Sequence, residues 1–184
     1  MTAPVRTVAF VLCLLSSARP VAGSTAVPDT TTLQFYGFRA GARIEEMNAL
    51  LQRLDGSRLT CERARADRRV SECRSVLRAP KLGAKVRLWI SAVDSVASVI
   101  TLSANVETAQ LDSWRRDIER RYGRVGAQAQ GSQWMMQWVR RGRMLRLTWR
   151  MERGQKIASV SLVDGRVLDD WGRSRTRAAS TVPS

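Results

Sequence analysis

Between Ser132 and Val163 apolar residues recur at every second position in three runs, separated by Arg141-Gly142 and Arg153-Gly154. That pattern predicts three antiparallel strands joined by two-residue turns. In this register Trp134 faces Trp149, Met136 faces Leu147 and Trp138 faces Leu145. Across the second turn, Leu147 faces Val160, Leu145 faces Leu162 and Trp149 faces Ala158. One face of the meander is then wholly apolar, and Trp134 is expected to be buried on it with the others. The opposite face carries Gln133, Gln137, Arg146, Thr148, Arg150, Ser159 and Ser161, and is expected to be wet apart from Val139, Met144 and Val163 near the strand ends. A slip of one residue at either turn would mix the faces, so the register is strongly specified.

An apolar sheet face needs a cover, and two segments supply helical spacing. Ile44, Met47, Leu50, Leu51 and Leu54 form one stripe, with Glu45 and Glu46 in the first turn and Gly56 past the end. Leu111, Trp114, Ile118 and Tyr122 form another, in a helix expected over 107–122 and closed by Gly123. Strands are expected at 57–62, 70–77, 86–91 and 96–103, with a turn at Asp94-Ser95 and a punctuated turn at Pro80 and Gly83. Leu33 to Phe38 reads as a short aromatic strand or edge, and Gly126 to Gly131 as a small-residue loop. Val167, Leu168 and Trp171 read as a short closing segment at one edge of the sheet. The expected order is helix, four strands, helix, three strands. The fold class is therefore α+β: two tandem helix-then-antiparallel-strands units, about 33–104 and 105–172, with the helices packed on the apolar sheet face. Residues 24–32 read as a linker, and 173–184 as a disordered basic tail.

The N-terminus bears on compartment. Arg6, an apolar run from Val8 to Leu15 and the small-residue exit at Val21-Ala22-Gly23 predict a signal peptide over residues 1–23. The run is too short to span a bilayer, and no other segment is apolar enough to do so. An exported chain, periplasmic or secreted, keeps only Cys61 and Cys73, and an oxidising compartment favours a disulfide between them. The chain-entropy model gives such a short loop roughly 3 kcal/mol of stabilisation. The charge is strongly positive, +15 for the full sequence. Removing residues 1–23 takes away Arg6 and Arg19, so the exported chain keeps +13.

Gly41, Glu45-Glu46 and Leu50-Leu51, running into the strands that hold Cys61 and Cys73, resemble the small exported repeats of the β-lactamase-inhibitor-protein type and their outer-membrane assembly lipoprotein relatives. The resemblance covers about thirty residues, and Ala42 stands where those repeats place a helix-capping hydroxyl. It implies a protein-binding module without catalytic residues, and no functional residue is carried across on it.

The chain contains no histidine, which removes the commonest general base and the commonest metal ligand together. Bridged cysteines supply neither a nucleophile nor a metal site, so no enzyme, metal or cofactor is expected. The alternative is a glycan-acting enzyme using Asp169 or Asp170 beside Trp171. The favoured expectation is an exported, non-catalytic binding protein of the cell envelope or extracellular space. Its partner is expected to be anionic: an acidic protein, a lipid headgroup or an envelope polymer, with nucleic acid set aside because exported proteins seldom meet it. The candidate binding residues are Arg140, Arg141, Arg143, Arg146, Arg150 and Arg153 around the meander, and Trp89, expected to be the most exposed tryptophan.

Overall fold

The computed structural model describes residues 32–78, 82 and 85–180, the side chains of 177–180 excepted. The signal peptide, nearly all of the linker, the Pro80–Gly83 turn apart from Leu82, and residues 181–184 lie outside the described residues. In chain order the elements are α1 (Ile44–Arg53), β1 (Thr60–Arg63), β2 (Val70–Leu77), β3 (Val86–Val93), β4 (Val96–Asn105) and α2 (Thr108–Tyr122). There follow β5 (Gln128–Gln130), β6 (Gln133–Arg140), β7 (Arg143–Glu152), β8 (Gln155–Asp164) and α3 (Gly165–Ser180). The strands form one antiparallel sheet in the order β1-β2-β3-β4-β8-β7-β6-β5, so the described residues make an α+β fold of eight strands and three helices.

The meander has the expected register at every pair, from Trp134↔Trp149 and Trp138↔Leu145 to Leu145↔Leu162 and Trp149↔Ala158. Both Arg-Gly turns have positive φ at each central residue, 48° and 73° at Arg141-Gly142 and 49° and 77° at Arg153-Gly154. That is the type I′ geometry whose twist matches the flanking strands. The turn at Asp94-Ser95 has the same signs without a glycine, φ 49° and 65°. Next to it the β3–β4 register shifts by one residue at Ser91/Ala92, and the buried Ser98 hydroxyl donates to Ser91 O at 2.9 Å. The bulge thus leaves the buried Ser98 hydroxyl with a backbone partner.

The core joins Met47, Leu50 and Leu51 of α1 and Leu111, Trp114, Ile118 and Tyr122 of α2 to Leu88, Ile90, Ile100, Leu102, Leu145, Leu147, Val160 and Leu162 of the sheet. Leu33, Phe35 and Phe38 are buried in the same cluster, although the expected strand there is only a bridge between Phe35 and Phe38. Tyr122 holds this segment by accepting the Gln34 N–H at 2.8 Å and donating to Gln34 O at 2.9 Å. The disulfide between Cys61 and Cys73 is present and joins directly paired residues of β1 and β2.

Three expectations need correction. Gln128–Gln130 is a strand, not part of a loop, and it closes the sheet edge beside β6. Residues 173–180, expected in a disordered tail, continue α3. α3 packs against β3, β4 and β7, and Trp171 Nε1 donates to Asp67 Oδ2 at 2.8 Å in the β1–β2 connection. Long-range contacts of this kind order a segment whose own composition favours disorder. The third correction is Trp134, which is 48 % exposed. Its side of the sheet is as expected, but it sits near the sheet edge, stacked on Trp149 at 6.4 Å.

Candidate functional site

Strand alternation sends the residues between the core positions to the opposite, open face of the sheet. The registers line them up across the strands. One row runs Arg74, Trp89, Thr101, Ser161, Arg146, Gln137 from β2 to β6, and the adjacent row runs Val76, Arg87, Ser103, Ser159, Thr148, Met135. Hydroxyls therefore occupy the centre of the face, and Thr101 Oγ1 and Ser161 Oγ lie 3.1 Å apart. Cations stand on both flanks. Trp89 and Arg146 are three strand spacings apart, roughly 14 Å.

The expected arginines do not act together. Arg146 lies on the open face, where its Nε and Nη2 donate to Gln137 Oε1 at 3.1 and 2.8 Å. Arg150 is exposed at the end of the same strand and pairs with Glu152 at 2.7 Å. Arg141 and Arg153 are exposed in the turns. Arg140 and Arg143 have other partners. Arg140 belongs to the core side, donates to Tyr122 O at 2.8 Å and places its guanidinium over the Tyr122 ring. Arg143 is mostly buried, and its Nε donates to Asp164 Oδ2 at 2.7 Å. Arg143 is thus a structural residue; its position beside a turn suggests exposure, but the partner that buries it lies across the strand pair.

Asp164 is 1 % exposed and is gripped from two sides, by Arg143 and by Arg166 at 3.2 Å. Burial alone would raise its pKa, but hydrogen bonds from Arg166 and Arg143 outweigh it and hold the carboxyl below its ordinary range. Gly41 covers this cluster with φ +86°, and a Cβ there would stand 2.5 Å from Asp164 Oδ2.

Trp89 is half-buried, so the most exposed tryptophan is Trp134 instead. Trp89 nevertheless lines a hollow of about 560 Å³ over β2, β3 and β4, together with Arg58, Arg74, Arg87, Thr101 and Ser103. Arg74 pairs with Glu72 at 3.2 Å, whereas Arg58 and Arg87 pair with no carboxylate among the described residues. None of these three arginines is among the candidates that the sequence singles out. The signal for Arg87 was available, because the alternation of Val86, Leu88 and Ile90 puts Arg87 on the same face as Trp89.

Asp169 and Asp170 are exposed on α3, where Asp170 pairs with Arg173. Trp171 beside them is engaged by Asp67 and lies under the Arg175 guanidinium at 5.1 Å. The indole N–H and the Arg69 backbone N–H hold the Asp67 carboxyl below its ordinary pKa. Among the described residues no group of three His, Cys, Asp or Glu side chains could hold a metal ion, and no helix is long and apolar enough to cross a membrane. No protein-family model, no curated protein and no solved structure matches the chain.

Proposed function

We propose that this chain is an exported, non-catalytic binding protein of the cell envelope or extracellular space, and that the open sheet face holds an anionic partner. The observation that carries this reading is the make-up of the open face, where arginines stand among hydroxyls. On the open face, Arg87 and Arg146 stand among Thr101, Ser103, Ser159 and Ser161 on four adjacent strands, with no acidic side chain between them. A cluster of cations without interleaved carboxylates attracts anions over several ångströms, and the attraction is screened by salt. Export is supported by the N-terminal pattern of Arg6, apolar run and Gly23 exit, and by a disulfide of the kind that persists in oxidising compartments.

We further read α1 to β4 and α2 to β8 as two units of the same order, each a helix followed by an antiparallel four-strand meander and packed over the apolar face. The sheet order, in which the last strands of both units meet at the centre, supports this reading.

The test is a double substitution, Arg146→Gln with Arg150→Gln, followed on heparin and on anionic liposomes across a salt series. The double variant should elute at lower salt, and the log–log salt dependence of its binding should be shallower by about one to two units. Elution with the parent at every salt concentration would mean that the charge is diffuse and the face is not a site.

A further inference from the structure

We propose that the hollow around Trp89 is a subsite for a uronic-acid sugar, which makes the partner of the open face an acidic polysaccharide. This rests on the reading of that face as an anion-binding surface, and adds the chemistry of the occupant. A pyranose ring presents a flat C–H face, a rim of hydroxyls and, in a uronic acid, one carboxylate. The hollow has a counterpart for each. The Trp89 indole lines the hollow between Arg74 on one neighbouring strand and Thr101 on the other, and offers an apolar plane for the C–H face. Thr101 and Ser103 on β4 and Thr60 on β1 supply hydroxyls that both donate and accept. Arg87, with no carboxylate of its own among the described residues, offers the planar fork that takes a carboxylate through two parallel hydrogen bonds.

Other anionic occupants fit less well. A peptide bound to a sheet usually adds a strand at an edge; at the hollow that edge is β1, at its rim, whereas β2, β3 and β4, which carry Arg74, Arg87, Trp89 and Thr101, are each paired on both sides. A lipid surface needs apolar anchors beside the cations. Among the described residues the exposed large apolar side chains are Trp134, Val139 and Met151, all on β6 and β7 and away from the hollow. The row from Trp89 over Thr101 and Ser161 to Arg146 also gives a polymer a path of hydroxyls ending at a second cation.

The experiment titrates the exported chain calorimetrically with four probes: short oligouronates, polyglutamate, neutral malto-oligosaccharides and phosphatidylglycerol vesicles. Trp89→Ala, Trp89→Phe and Arg87→Gln are compared with the parent after near-ultraviolet circular dichroism confirms native packing. Oligouronate should bind the parent, weaken by ~10-fold in Trp89→Ala and in Arg87→Gln, and weaken less in Trp89→Phe, which keeps an aromatic plane. Polyglutamate affinity should be nearly unchanged by the Trp89 substitutions, and the neutral sugar should bind poorly. If Trp89→Ala does not fold, the Trp89→Phe and Arg87→Gln pair carries the comparison, since Arg87 is exposed. Polyglutamate or vesicles binding as tightly as oligouronate, or oligouronate binding that ignores Trp89 and Arg87, would overturn the sugar subsite while leaving the anionic face intact. Failure of all three anionic probes to bind the folded parent would overturn both.

Discussion

In urea, Trp138→Ala should unfold with about 3 to 5 kcal/mol less stability than the parent, and Trp134→Ala with about 1 kcal/mol less. The two side chains are on one strand and point to the same side of the sheet, so periodicity alone assigns them equal weight. Trp138 is 4 % exposed, packs in the core with Leu145 opposite, and donates its indole N–H to Gly123 O at 2.8 Å. Truncation there opens a cavity in the core and strands the Gly123 carbonyl. Trp134 is half in solvent, so its truncation removes mainly its stack on Trp149. Urea midpoints at constant m-value decide between them. Equal losses would mean that the cover over the apolar face extends to the β5 edge.

Asp164→Asn should cost about 3 to 5 kcal/mol, because it leaves the mostly buried Arg143 guanidinium without its counter-charge. The parent should also show an acid-dependent term that the variant lacks. Asp164 has a depressed folded pKa, so its contribution is fully present above the unfolded carboxyl value of about 4 and disappears as pH falls through the lower folded value. Stability measured by urea melts from pH 7 to pH 2 should therefore fall below about pH 4 in the parent, and less steeply in Asp164→Asn. Parallel pH curves for the two proteins would show that the ion pair contributes nothing to acid sensitivity. Gly41→Ala should damage the same cluster, since it combines an unfavourable φ with a Cβ pressed on the Asp164 carboxylate.

What was legible in the sequence was the part governed by local period. The Ser132–Val163 register follows from alternation together with turns that tolerate positive φ, and both are visible in the residues. The two helix stripes were legible for the same reason: Met47, Leu50 and Leu51 and Leu111, Trp114, Ile118 and Tyr122 are the residues their helices bury. Features decided by distant contacts were not. Gln128–Gln130 is exposed at every position, so nothing in its composition marks a strand; it is one because β6 offers it an edge. The tail is helical where Trp171 reaches Asp67 and Ser174 receives Arg69, both more than a hundred residues away in sequence. At the candidate site the same division holds. Alternation places Arg146 and Trp89 on the open side, but only the pairing of β4 with β8 brings them into one row. Arg143 shares the parity of Leu145 and Leu147, so alternation already turns it to the core side, and the ion pair with Asp164 holds it there.

The central claim, that one sheet face and not the whole basic surface holds the anion, is tested most directly by arginine footprinting. The exported chain is labelled with an arginine-specific dicarbonyl, with and without saturating heparin, and modification is read residue by residue by mass spectrometry. Arg74, Arg87, Arg146 and Arg150 should be protected, while Arg115, Arg116 and Arg120 on the outer side of α2 should label as before. Protection spread evenly over both sets, or concentrated on α2, would contradict the account.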